Sequence, residues 1–186
     1  MKQKKETYIN FQTEISGPSV GRLIDVIQSG LAQGVEQFTV LISSPGGQVN
    51  AGISAYNFLM GIPAKVITYN YGIIDSMAVV LFSAGEERYC VPHARFLLHG
   101  VGFPVDQPTR FEEKQLDEHI KRLKNNRYTI AKIIAERCGR KMEEVEKDML
   151  NVRTLTSQEA VEYGLVHDIK TELLPKGVQV TLIGPK

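Results

Sequence analysis

Short runs of β-branched and apolar residues alternate with stretches of helical periodicity through the first half of the chain, and this rhythm constrains the fold most. YINFQTEI reads as a strand. GPS then introduces a helix with Val20, Leu23, Ile24, Ile27 and Leu31 on one face, at spacings of three and four. FTVLISS is a strand rich in β-branched residues, broken by SPGG and followed by the helical pattern VNAGISAYNFLMGI. AKVITYN and SMAVVLFSAG repeat the alternation, and ERYCV and ARFLLHG read as two more short strands. Parallel strands need a long crossover, and a helix packed on the sheet supplies it. The expected fold class is therefore α/β, a mainly parallel sheet with helices against it.

The second half changes character. GVGFPVDQPT is a loop by composition. From about Arg110 to Arg137 the chain is polar, with apolar residues at Phe111, Leu116, Ile120, Leu123, Tyr128, Ile130, Ile133 and Ile134. A helix of that length extends beyond a compact domain, and its stripe needs burial against either a partner subunit or its own domain. Gly139 in CGRK ends it. MEEVEKDML is another helix. TSQEAVEYGL is a third, capped by Thr156 or Ser157 and ended at Gly164, and VQVTLIG is a closing strand. The 186 residues suit a single domain over 1–186.

Composition excludes more than it selects. A net charge of +1 offers nothing to a nucleic acid, and Lys2, Lys4 and Lys5 read as a solvated terminus. Cys90 and Cys138 have neither metal spacing nor a disulfide pattern, so no metal and no cofactor is expected. MKQKKETYIN lacks the apolar run of a signal peptide, and no stretch approaches the roughly 18 apolar residues of a membrane span. The expectation is a cytoplasmic protein with no membrane partner.

Three stretches carry possible chemistry. In SSPGGQVNAG, residues 43–52, a strand gives way to a helix through two glycines, which allow close approach and free backbone N–H groups. Donors there suit a developing oxyanion; the alternative is a tight turn. Ser76, between VITYN and SMAVVLFSAG, is either a helix cap, with Asp75 competing for that role, or a nucleophile on a bend. His99 ends ARFLLHG before a glycine-rich loop, as a general base or a hydrogen-bonded structural histidine. His93 in a Pro-His turn, His119 on a polar helix and His167 near a strand start are weaker candidates.

Taken in order, these stretches resemble the ClpP family of serine peptidases, within the ClpP/crotonase group, from about Phe11 to Asp168. SSPGG, then Gly72 with Ser76-Met77-Ala78, then AGEERYCVPHARFLLHG, then TSQEAVEYGLVHD follow the order and separation of that family's motifs. The resemblance implies repeated ββα/βαβ units with a long protruding helix at about 110–137. It implies Ser76 as nucleophile, His99 as general base, and Gly47 and Met77 as backbone donors of the oxyanion hole. It also implies a homo-oligomeric ring or chamber, and peptide or unfolded-protein substrates held as an added strand.

The sequence departs from the family at three places. Where the family has the third, aspartate member of its triad, this chain has Val152 preceded by Asn151. Asn151 is the candidate, since an amide can orient a histidine; a Ser-His dyad or a site completed by conformational change are the other routes. Asp148 and Asp168 match other family positions. Asp75 puts a charge beside the nucleophile, harmless as a cap but unfavourable to an alkoxide if turned inward. The short MKQKKETY start gives only weak support for an ATPase unfoldase partner. Two further readings stand beside the peptidase: a non-catalytic assembly subunit, and a crotonase-type acyl-CoA enzyme.

Overall fold

The computed structural model describes residues 5–102 and 110–185. Lys2 and Lys4 of the basic start, and positions 103–109 of the expected loop, lie outside the described residues. Strand β1 (Glu6–Phe11), helix α1 (Gly17–Ala32), strand β2 (Gln37–Ser44), helix α2 (Val49–Gly61) and strand β3 (Lys65–Asp75) open the chain in the expected alternation. Helix α3 (Met77–Ser83) and strands β4 (Glu87–Cys90) and β5 (Arg95–Leu98) follow. The second half holds α4 (Glu113–Cys138), α5 (Met142–Leu150), β6 (Arg153–Thr156), α6 (Ser157–Glu162), β7 (Asp168–Ile169) and β8 (Val180–Ile183). The two short strands β6 and β7 have no signal in the sequence; RTLT and DI are too brief for a period to show.

One sheet runs β6-β5-β3-β2-β1-β8, with β4 beside β3 and β7 beside β4. Every pairing is parallel except β5 with β6. The long β3 serves two neighbours on one side. Ile67–Asn70 pairs with β4, and Ile73–Asp75 pairs with β5. The divide puts the end of β3 and the end of β5 side by side.

Burial follows the sequence pattern. Strand β2 is buried along five successive residues, as a central parallel strand covered on both faces should be. On α1, Val20, Leu23 and Ile27 are buried, and Ile24 and Leu31 pack partly against the core. Helix α1 opens on a capping box between Ser16 and Ser19. Thr156 rather than Ser157 caps α6 in the same way with Glu159, while the Ser157 hydroxyl donates to the Val91 carbonyl at 2.8 Å. All seven residues of α3 are buried, in contact with β2, β3, β5 and α4.

Helix α4 has 26 residues, roughly 40 Å at ~1.5 Å per residue. Its C-terminal part buries Ile130, Ala131, Ile133, Ile134 and Ala135, whereas Leu116, Ile120 and Tyr128 are exposed. The stripe is thus divided between this domain and solvent. Gly139 ends the helix in the left-handed region, as expected. Arg88, buried, donates to the carbonyls of Leu165, Gly85, Arg137 and Gly164, which ties together the chain near the ends of α3, α4 and α6. No helix among the described residues is long and apolar enough to cross a membrane.

Candidate active site

Ser76 occupies the bend between β3 and α3 with φ 57° and ψ −125°. That is a costly conformation for a residue with a Cβ, and it persists only where its surroundings impose it. They do: the Ser76 N–H donates to the Leu97 carbonyl at 2.8 Å, and the Ser76 carbonyl accepts from Val79 at 3.0 Å. The side chain makes no capping bond to α3. The structure therefore removes the cap reading for Ser76. It also removes it for Asp75, whose Oδ2 accepts from Arg95 at 2.8 Å. Asp75 Oδ1 is buried with no partner among the described residues.

The glycines of SSPGG are required by geometry. Gly46 has φ 91°, and a Cβ there would lie 2.6 Å from the Asp75 carbonyl oxygen and 2.7 Å from Ser76 Cβ. Gly47 has φ 145°, and a Cβ would lie 2.2 Å from the Ile15 carbonyl oxygen. Ile15 grips the loop: its N–H donates to the Gly46 carbonyl at 2.7 Å, and its carbonyl accepts from Gln48 at 2.8 Å. The Gly47 N–H between them, and the Met77 N–H at the first turn of α3, have no backbone acceptor among the described residues. Two donors are thereby left unspent on residues that line one cavity.

That cavity has a volume of about 150 Å³. Ser76, His99, Gly47 and Met77 all line it, and Val49, Val101, Ile130, Ile134 and Met149 supply apolar walls. The ladder pairs Asp75 with Leu97, so His99 follows β5 just as Ser76 follows β3. His99 Nδ1 lies 2.6 Å from the Gly100 carbonyl oxygen. A carbonyl only accepts, so Nδ1 is the donor and the neutral ring keeps its lone pair on Nε2. No hydrogen bond joins Ser76 to His99 among the described residues.

Asn151 is not brought to His99. It ends α5, is exposed, and does not line the cavity. Its expected place at Nδ1 is taken by the Gly100 carbonyl. The β5–β6 register pairs Leu98 with Arg153, which puts Val152 next in line opposite His99. Val152 is itself exposed, with φ 55°. Asp148 is occupied by Arg153 at 3.0 and 3.1 Å and by the Tyr163 hydroxyl at 2.9 Å, and Asp168 lies on β7 beside Tyr89. Sequence reasoning missed Arg95, Ile15 and the Gly100 carbonyl. Only Arg95 left a signal, as the cation on the strand beside an acidic residue that needed one.

The other histidines take structural places. His93 is exposed, His119 meets Phe111 edge to face and contacts Arg122, and His167 Nδ1 accepts from the Arg88 N–H at 3.1 Å. Among the described residues no group of three or more His, Cys, Asp or Glu could hold a metal ion. Cys90 and Cys138 are free, and burial pushes the Cys138 thiol up to about 11.

A family model described as Clp protease matches residues 5–172. The ATP-dependent Clp protease proteolytic subunit 2 of Corynebacterium efficiens is 34% identical over 135 residues, covering 72% of this chain and 66% of that protein. The proteolytic subunit 2 of Tropheryma whipplei is 31% identical over 143 residues, covering 74% of this chain and 75% of its own. The chain thus spans just under two thirds of the length of the first of these relatives. The solved structure of a ClpP1 mutant from Listeria monocytogenes superposes with a TM-score of 0.78 at 23% identity, over 89% of this chain and 91% of that one, which shows the fold to be shared. With the family model spanning nearly all the described strands and helices, and with the strained serine, the histidine and the glycine loop set around one cavity, the chain belongs to the Clp protease family.

Proposed function

We propose that this chain is a serine peptidase that cleaves peptides or unfolded polypeptide through an acyl-enzyme, with Ser76 as nucleophile and His99 as base. One observation carries the reading. Ser76 is held in a strained bend with its hydroxyl released from helix capping, in a cavity that it shares with His99. Nε2 of His99 takes the Ser76 proton as Oγ attacks the peptide carbonyl. The oxyanion forms against the N–H groups of Gly47 and Met77, a contact whose loss typically costs about 2.7–4 kcal/mol. The imidazolium returns its proton to the leaving amine, and water releases the acyl group by the reverse sequence. In this conformation the Gly100 carbonyl holds the Nδ1 proton that the missing carboxylate would hold.

The relatives' names describe proteolytic subunits of ATP-dependent proteases. A homo-oligomeric ring fits the exposed Leu116, Ile120 and Tyr128 of α4, and an unfoldase partner rests on those names alone. The absence of a hydrogen bond between Ser76 and His99 among the described residues is the observation that favours a non-catalytic assembly subunit instead. Labelling with a fluorophosphonate, followed by peptide mass analysis, separates the two. Modification at Ser76 supports the peptidase. No modification anywhere between about pH 6 and about pH 9 sinks it.

A further inference from the structure

We propose that Arg95 is a positioning residue for the Ser76 centre, holding and neutralising the carboxylate that directly precedes the nucleophile; this rests on the peptidase reading above. Asp75 is 9% exposed, and Arg95 Nη2 meets its Oδ2 at 2.8 Å. Its Oδ1 is buried and without a donor. The carboxylate is therefore under-satisfied, and Arg95 is the one cation bonded to it among the described residues. An anion at that place disfavours both departure of the Ser76 proton as negative charge builds on Oγ and formation of the oxyanion beside it. Arg95 offsets that charge.

The pair also sets geometry. The ladder puts Asp75 opposite Leu97 and Arg95 opposite Ile73, so the bond runs diagonally from β3 to β5. Ser76 follows Asp75 directly, and His99 lies at the end of the strand that begins with Arg95. The two strands that deliver nucleophile and base are joined by a side-chain bond, one residue before the first of them. Because Arg95 is half exposed, solvent screens its side of the pair, and the buried partner is the one left costly when the bond is lost.

This asymmetry separates the role from a plain brace. Single-turnover fluorophosphonate labelling of Ser76, and kcat and KM on a fluorogenic peptide, are read on the full assembled chain. Arg95→Gln, which strands the carboxylate, is expected to lower the labelling rate and kcat by about tenfold or more with KM nearly unchanged. Asp75→Asn, which removes the charge but leaves an amide oxygen to accept from Arg95, loses less. The double variant D75N/R95Q exceeds Arg95→Gln alone, and Arg95→Lys, which keeps the cation, retains most of the rate. Equal losses in both single variants with the deepest loss in the double, or full activity in Arg95→Gln, overturn the proposal. If Arg95→Gln does not fold, the comparison of Arg95→Lys with the double decides it: the lysine variant must be the faster. An unmodified chain that never labels overturns the peptidase reading and this role together, whereas labelling with equal single losses overturns only the role of Arg95.

Discussion

The Ser76 N–H donates to the Leu97 carbonyl at 2.8 Å, so the β3–β5 ladder continues one step past β3 and onto the proposed nucleophile. The serine is fastened by its backbone and leaves its side chain unengaged. Replacement with alanine therefore leaves the bend intact and removes the chemistry. Ser76→Ala is expected to cut kcat by about a thousandfold or more with an unchanged circular dichroism spectrum. Residual turnover near the unmodified rate would place the nucleophile elsewhere.

The same bend stores strain. Ser76→Gly is expected to raise stability by about 1 kcal/mol while abolishing activity, because glycine occupies φ 57° without a Cβ penalty. Urea midpoints at constant slope measure this. A lower midpoint would mean that the serine side chain stabilises the bend after all.

Gly46 leaves no room for a side chain. Gly46→Ala forces a methyl group to within 2.7 Å of Ser76 Cβ, at a φ of 91°. A stability loss of about 2 kcal/mol or more is expected, with a fall in kcat as the bend shifts. A variant that melts and turns over like the parent would show that the loop yields freely.

Asn151 and Val152 part company. With the Gly100 carbonyl on Nδ1 and Asn151 exposed, Asn151→Ala is expected to change kcat/KM by less than about threefold. A drop of about tenfold or more would show that the α5–β6 turn rearranges to bring the amide in during turnover. Val152→Asn, which suits φ 55° better than a β-branched residue, is expected to raise the melting temperature by about 2–4 °C.

His167 links pH to stability away from the site. Burial, with Arg88 and Arg137 nearby, holds its pKa below the ordinary histidine value. The unfolded chain therefore takes up this proton first as pH falls. Stability is fully present above about pH 6.5 and declines below it, towards the lower folded value. Protonating Nδ1 also breaks the bond from the Arg88 N–H. His167→Gln should flatten this part of the stability profile in urea titrations between about pH 5 and about pH 7.5. An unaltered slope would assign it to other groups.

Much of this was legible in the chain. The alternation of strand and helix patterns set the parallel sheet, and helical spacing marked the buried face of α1, because hydrophobic period is a local property that burial then obeys. The motif order singled out Ser76, His99, Gly47 and Met77, which line one cavity. What surrounds them was decided only by tertiary contact. That Asp75 turns to Arg95 rather than capping α3, that Ile15 grips the glycine loop, and that Gly100 rather than Asn151 meets the imidazole all depend on strand register and on a backbone carbonyl. Residue identity does not encode a carbonyl's direction, and the register between β3 and β5 is a tertiary relation between strands that α3 and β4 separate along the chain. The sequence determined which residues were candidates for the site, and the folded sheet decided what each of them touches.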